Sequence, residues 1–241
     1  MNISNNKILI TGGGSGIGLG LAERFVQEGN TVIICGRRQD VLESVAEKIP
    51  GIITYTCDLS DEQQRVKLFE WIKAEHSDLN MLINNAGIQQ WTNIDDDDFY
   101  TRIKQEIIIN VETPVHLTSL FIKLNNLKTI MNVTSGLSFC PLTKVAVYSA
   151  TKAFFHSFTL SMQHELLKRN IEVIELIPPA LNTDLGGKGL HDYAPPVHEF
   201  IESIFTQLKA GNTTLTFGMS EGLSKAGPEQ LKMIFERMNT A

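Results

Sequence analysis

Patterns that mark several other protein classes are missing from this sequence of 241 residues. It has only three cysteines, Cys35, Cys57 and Cys140, and none forms a Cys-x-x-Cys pair, so neither a disulfide framework nor a metal site is predicted. No stretch approaches the roughly 18 apolar residues of a membrane span. The apolar run near the N-terminus is too short for a signal peptide, and the few cysteines suit a reducing cytoplasm.

Basic stripes, internal repeats and linkers are also missing. The net charge of −6 is spread along the chain, which argues against a nucleic-acid partner. With 42% hydrophobic and 20% charged residues, the composition is that of an ordinary globular protein. We therefore expect residues 1–241 to form a single domain with a sizeable core.

Short segments rich in isoleucine and valine alternate with longer amphipathic segments. Six of them are predicted to be strands: 7–11, 31–35, 52–56, 80–84, 128–133 and 171–177. They mostly lack polar alternation, which is typical of strands covered on both faces. The amphipathic segments between them predict helices. One helix begins after Ser60 or Asp61, with Val66, Phe69 and Ile72 on its buried face. This alternation predicts an α/β fold, a Rossmann-type doubly wound parallel sheet of about seven strands flanked by helices.

A glycine-rich turn, "TGGGSGIG", follows the first predicted strand and opens a helix. Gly12, Gly16 and Gly18 permit a tight turn and let a phosphate approach the helix N-terminus closely. The spacing is Gly-x-x-x-Gly-x-Gly and indicates a dinucleotide site. The alternative is a tight strand–helix turn that binds nothing.

The end of the second predicted strand bears on cofactor choice. Gly36 stands where NAD-selective folds place an acidic residue, and Arg37 and Arg38 follow. An arginine there accommodates the 2′-phosphate of NADP, so NADP is favoured over NAD. The alternative is two solvated arginines at a helix start.

A tyrosine and a lysine four positions apart, Tyr148 and Lys152, share one face of a predicted helix. A nearby ammonium is expected to lower the pKa of the phenol and allow it to exchange a proton with a carbonyl or alcohol oxygen. Ser135, thirteen residues upstream, can hydrogen-bond the same oxygen; Ser138 is its competitor. Taken singly, these residues read as a surface pair and a turn hydroxyl.

The ordered set "TGGGSGIG", "NNAG" (84–87), Asn110, Ser135 and Tyr-x-x-x-Lys resembles the short-chain dehydrogenase/reductase family over roughly residues 5–218. The resemblance implies that Tyr148 is the acid/base and that Asn110, Ser135 and Lys152 complete the catalytic set. It assigns Lys152 a contact with the nicotinamide ribose and Asn110 a water that links Lys152 to solvent.

The same resemblance extends the predicted cofactor site. It implies contacts around the adenosine, the pyrophosphate, the riboses and the carboxamide. The full set of predicted cofactor-binding residues is Gly12, Gly14, Ser15, Gly16, Ile17, Gly18, Arg37, Arg38, Cys57, Asp58, Leu59, Asn85, Ala86, Gly87, Tyr148, Lys152 and Thr183.

A segment rich in proline and glycine follows the sixth predicted strand and is predicted to be a substrate lid around 179–198. Pro179 occupies a position where the family usually has glycine, which restricts the backbone beside the nicotinamide. "IPPALNTDL", together with the C-terminal tail, resembles the subgroup associated with teichoic-acid D-alanylation.

The leading hypothesis is an NADP(H)-dependent oxidoreductase that reduces a small-molecule carbonyl or oxidises an alcohol. One alternative is a non-catalytic dinucleotide-binding regulator or scaffold, and another is an epimerase or dehydratase of the related extended group. A homodimer or homotetramer is expected, through the helices after Asn110 and after Tyr148. The predicted walls of the substrate pocket are Gln89, Gln90, Trp91, Leu137, Phe139, Leu142, Leu185 and Tyr193.

Overall fold

The computed structural model describes residues 2–240 and has a parallel sheet of seven strands. The strands β1 to β7 are Lys7–Thr11, Thr31–Gly36, Ile53–Thr56, Met81–Asn84, Thr129–Val133, Glu172–Ile177 and Thr214–Thr216. Their order across the sheet is β3-β2-β1-β4-β5-β6-β7. The predicted fold class is confirmed. The six predicted strands are present to within one residue at each end, and β7 is an addition to them.

The α-helices found in residues 2–240 lie between and after the strands. Helices α1 to α9 are Gly16–Gln27, Gln39–Lys48, Glu62–Glu75, Phe99–Ile107, Thr113–Phe121, Ala146–Leu166, Val197–Lys209, Met219–Lys225 and Pro228–Asn239. A π-helical turn, Ile108–Glu112, joins α4 to α5. None of the helices in the described part of the chain is long and apolar enough to cross a membrane.

The apolar side chains form two clusters, one on each face of the sheet. One cluster joins β-strand residues to α1, α2 and α7, and Phe25 of α1 packs edge-on against Phe205 of α7. The other joins the opposite strand faces to α3, α5 and α6, and Phe69 of α3 packs against Phe121 of α5. Covering both faces explains why the central strands β1, β2, β4, β5 and β6 are mostly apolar.

Helix α3 corrects one expectation about which side chains are buried. Asp61 is the cap, since its carboxylate accepts hydrogen bonds from the backbone N–H groups of Gln63 and Gln64. Val66, however, is exposed, and Arg65 is buried in its place. The Arg65 guanidinium donates to Leu59 O at 2.9 Å and to Thr113 Oγ1 at 3.1 Å, so its polar atoms have partners inside the protein.

The strand order reverses between β1 and β4, and this position places the site. In a doubly wound sheet the crevice at such a reversal opens at the carboxyl ends of the strands. The glycine-rich turn follows β1 and residues 84–87 follow β4, so both segments meet at that crevice.

The predicted lid runs irregularly from the end of β6 and is shorter than expected at its far end. Residues 197 and 198 belong to α7, so the irregular segment ends at Pro196. Its two ends lie together, because the Asn182 N–H donates to Pro195 O at 2.9 Å. The segment is therefore a closed loop over the carboxyl edge of the sheet.

Candidate active site

The glycine-rich turn approaches the loop after β4 more closely than a side chain would allow. Gly12 has φ +66°, and a Cβ on it would lie 3.0 Å from Ala86 Cα. A Cβ on Gly18 would overlap Gly12 O and the Asn85 side chain. Helix α1 begins at Gly16, which directs its first backbone N–H groups toward the crevice. This is a cradle suited to a phosphate group.

Thr11 and Asn85 fasten the two loops together. Thr11 Oγ1 accepts hydrogen bonds from the N–H groups of Asn85 and Ala86, both at 3.0 Å. Asn85 Nδ2 in turn donates to Thr11 O at 2.9 Å and to Gly12 O at 3.2 Å. Asn85 therefore shapes the glycine turn with its side chain, and its main chain borders the cavity.

A cavity of about 1330 Å³ extends from the arginines after β2, across the glycine turn, to Ser135 and Tyr148. That volume exceeds the 300–1000 Å³ of a typical small-molecule pocket. Most of the predicted cofactor residues line it: Gly12, Gly14, Ser15, Gly16, Ile17, Arg37, Arg38, Cys57, Leu59, Asn85, Ala86, Gly87, Tyr148, Lys152 and Thr183. Gly18 and Asp58 do not. Gly18 packs against the turn, and the Asp58 carboxylate accepts hydrogen bonds from Ser60.

Tyr148 and Ser135 both line this cavity, and both are buried. Burial raises the pKa of the Tyr148 phenol, the Ser135 hydroxyl opposes this change, and the Glu106 carboxylate adds to it. The expectation of a lowered pKa is therefore wrong for the protein by itself. The phenol is therefore protonated at neutral pH.

Lys152 lies beside Tyr148 but does not donate to it. Its Nζ donates to Val133 O at 2.8 Å and lies 5.7 Å from the centroid of the Tyr148 ring. Burial lowers the Lys152 pKa to about 8, and the Glu106 carboxylate opposes that change. With a pKa of about 8, Lys152 loses its proton before the buried phenol does, so its charge does not lower the pKa of the phenol.

Asn110 lies behind the cavity wall, in the π-helical turn. Its Oδ1 accepts from Ile88 N at 2.9 Å, and its Nδ2 donates to Ile88 O at 2.8 Å and Thr151 Oγ1 at 3.1 Å. Both amide protons are thus used within the protein. The side chain of Asn110 joins the loop after β4 to the start of α6, which positions the segment around Lys152.

Of the two candidate serines, only Ser135 borders the cavity. Ser138 lies in the 3-10 turn that follows, and its hydroxyl is buried without a hydrogen-bond partner in residues 2–240. The geometry favours Ser135.

The site combines a cradle suited to a dinucleotide, a cavity, and a Ser–Tyr–Lys cluster at the carboxyl ends of the central strands. Comparison with known sequences agrees with this arrangement. The family model described as short chain dehydrogenase matches residues 6–194. The chain belongs to the short-chain dehydrogenase family. It is an oxidoreductase of that family.

A curated relative and two solved structures illustrate the family likeness. The uncharacterized oxidoreductase DltE of Bacillus subtilis is 40% identical, over 100% of this chain and 99% of the relative. This bears out the subgroup suggested by the lid and tail segments. A short-chain dehydrogenase of Burkholderia cenocepacia, solved in complex with NADP, has a TM-score of 0.85 at 22% identity and 99% coverage of each chain. One from Burkholderia phymatum, solved with NAD, has a TM-score of 0.78 at 16% identity and 90% coverage of each chain.

One of the residues predicted to form the walls of the substrate pocket does not border the cavity, and the cavity has further walls that were not predicted. Phe139 does not border the cavity, because its ring packs against His156 at 4.6 Å. The walls also include Met219, Leu223 and Met238 from the C-terminal helices. No sequence pattern in those helices points toward a site between β1 and β4, so only the folded chain reveals them.

Glu106 is the titratable residue that sequence reasoning missed. It is fully buried in α4, although charged residues are rarely buried without a partner. Burial raises its pKa to about 7, while the Gln90 N–H and the Lys152 ammonium lower it. The only sequence signal is its position one turn before Asn110, directly before the apolar run 107–109.

Proposed function

We propose that this chain is an NADP(H)-dependent carbonyl reductase, which in reverse oxidises an alcohol, with Tyr148 as the acid/base. The observation that carries the proposal is that Ser135 and Tyr148 are both buried and both line the cavity that contains the glycine cradle. Both residues face a cavity large enough for a dinucleotide and a small substrate together.

The residues of the crevice fit a nicotinamide dinucleotide. The glycine turn leaves a space that a Cβ would fill, next to the N-terminus of α1. Arg37 and Arg38 are exposed at the cavity edge, and neither guanidinium has a hydrogen-bond or ion-pair partner within the described residues. Free guanidinium groups favour a 2′-phosphate, and the solved relatives with NADP and with NAD support either cofactor.

The protein's side chains supply proton transfer and charge stabilisation. A bound nicotinamide supplies the hydride. Tyr148 donates its proton to the substrate oxygen, and its raised pKa keeps that proton in place at neutral pH. Ser135 hydrogen-bonds the same oxygen and stabilises the charge that develops on it. Lys152 provides a positive charge beside Tyr148, and Asn110 fixes the loop that borders Lys152.

Replacing Tyr148 by phenylalanine tests the assignment of the acid. Loss of the hydroxyl should lower kcat by at least about 100-fold, the typical size of general acid catalysis. The affinity for NADPH should stay close to that of the wild type. Tyr100→Phe is the matched control, since Tyr100 is 72% exposed on α4. Full activity of Tyr148→Phe on any reducible carbonyl would exclude Tyr148 as the acid.

Replacing Arg37 by serine tests the cofactor preference. Loss of a charge-assisted phosphate contact should weaken NADPH binding by about tenfold and leave NADH binding nearly unchanged. Lys232→Ser, which removes an exposed cation on α9, is the control. Equal effects on NADPH and NADH would contradict a role for Arg37 in 2′-phosphate recognition.

A non-catalytic dinucleotide-binding regulator is the alternative function. Such a protein has no use for a serine and a buried phenol that line the same cavity, which is why the reductase hypothesis is preferred. A panel of aldehydes, ketones and sugars, with NADPH oxidation as the readout, distinguishes the two. The cavity walls contributed by Leu137, Leu142 and Leu223 support an uncharged carbonyl compound with an apolar body.

We further propose that the chain works in the cytoplasm as a homodimer or homotetramer. All three cysteines are buried and unpaired, which suits a reducing compartment. Helix α6 exposes Phe154 at 43% and Leu160 at 48%, an apolar surface that a second copy can cover. Light scattering coupled to size exclusion gives the number of chains. A monomer at micromolar concentration would contradict the assembly.

A further inference from the structure

Glu106 is a buried carboxylate that the proposed mechanism does not use. It lies in α4, one helical turn before Asn110, where α4 packs against α6. Its Oε1 accepts the Gln90 N–H at 2.9 Å. Its Oε2 is buried without a hydrogen-bond partner in residues 2–240. An ionised carboxylate is expensive to bury in this way unless a positive charge is near.

Lys152 is the buried cation on the side of α4 that carries Glu106. A Cβ on Gly87 would lie 3.4 Å from Asn110 Oδ1 and 3.6 Å from Lys152 Nζ, so the ammonium lies close to Asn110, and Glu106 precedes Asn110 by one helical turn. Lys152 projects from α6 and is itself buried, with the β5 carbonyl of Val133 as the acceptor for its ammonium.

Glu106 and Lys152 act on each other, since each opposes the change that burial makes to the other's pKa. The loop after β4 contributes only the neutral Gln90 N–H to Glu106. Helix α6 also carries Tyr148, and the Glu106 carboxylate raises the pKa of its phenol.

We propose that Glu106 is the internal counter-ion of Lys152, a positioning residue whose negative charge keeps the Lys152 ammonium protonated beside Tyr148. This rests on the proposed function, in which Lys152 acts as an ammonium. The carboxylate acts through Lys152, because its contact within the protein is to the loop at Gln90 and it lies outside the cavity lining. It also holds that loop against α4.

The sign of the effect follows from the causes acting on Lys152. Burial favours the neutral amine, and Glu106 favours the ammonium. Removing the carboxylate charge leaves burial unopposed, so Lys152 should lose its proton at a lower pH. The alkaline decline of kcat/KM should therefore move toward neutral pH. In each protein, kcat/KM should fall about tenfold for each pH unit above the pKa of Lys152.

The first experiment compares pH profiles of kcat/KM for the NADPH-loaded wild type, Glu106→Gln and Glu106→Asp. Glutamine retains the acceptor for the Gln90 N–H but not the charge, and aspartate retains the charge. An alkaline decline displaced to lower pH in Glu106→Gln, and largely restored in Glu106→Asp, is expected. Glu165→Gln, an exposed carboxylate on α6, is the control. A uniform loss at every pH, with the decline unmoved, would reduce Glu106 to a structural residue and overturn the proposal.

The second experiment needs neither cofactor nor turnover. Carbon-13 NMR of the cofactor-free protein, labelled at glutamate carboxyls, follows Glu106, with Glu106→Gln identifying its signal. The carboxyl should titrate near pH 7 and at higher pH in Lys152→Met, because the opposing ammonium is gone. Titration near the ordinary 4.5, or the same titration in Lys152→Met, overturns the pairing. If the titrations follow these expectations but no carbonyl is reduced, Glu106 is still the counter-ion of Lys152 and the proposed function is wrong.

Discussion

Replacing Glu106 by glutamine should stabilise the cofactor-free protein, and by an amount that depends on pH. The folded state raises the pKa of this carboxyl from 4.5 to about 7. Because the folded value is the higher one, ionisation opposes folding. The cost is absent below pH 4.5, grows between pH 4.5 and 7, and is complete above pH 7. The change in pKa corresponds to roughly 3 kcal/mol.

Urea unfolding at pH 4.5, 6 and 8 measures the difference. At pH 4.5 the difference in free energy of unfolding between wild type and Glu106→Gln reflects mainly the pH-independent effect of the substitution. At pH 8 the variant should be more stable by about 3 kcal/mol beyond that difference. Glu165→Gln, on the exposed face of α6, should follow the wild type throughout. Parallel curves for wild type and Glu106→Gln would refute the electrostatic reasoning, since a packing effect does not depend on pH.

Three further outcomes are expected. Gly18→Ala should weaken dinucleotide binding severely and lower the melting temperature, because the added methyl overlaps Gly12 O. The control is Gly222→Ala in α8, where nothing lies within 4 Å of the added methyl. In thermal unfolding this control should be neutral or should stabilise the protein by up to about 1 kcal/mol. Alcohol oxidation should require a higher pH than carbonyl reduction, because the raised pKa of Tyr148 disfavours the phenolate that accepts a proton; coincident pH optima in a rate assay would contradict this. Asn110→Leu should lose activity and also loosen the loop at Ile88, seen as faster amide hydrogen exchange there; unchanged exchange would contradict its role in fastening that loop.

Much of the site could be predicted because its signals are local in the chain. The glycine-rich turn must follow a strand and open a helix, and the spacing of glycines carries that information directly. Tyr148 and Lys152 share a helix face through the ordinary helical repeat. The irregular segment after β6 was expected from its composition, and it ends at Pro196 because helix boundaries depend on how the chain is capped and packed. Its role as a substrate lid stays a prediction.

The sequence by itself determined the order of strands and helices, the dinucleotide turn and the Ser–Tyr–Lys set, because each depends on residue type and short-range spacing. Only the tertiary structure decided the electrostatics. Burial reversed the expected direction of the Tyr148 pKa, since the phenol loses its hydration and Lys152, whose own pKa falls to about 8, does not offset that loss. Glu106 likewise gained its significance only when folding removed it from water and brought it near Lys152, since desolvation and charge–charge distance are properties of the packed chain.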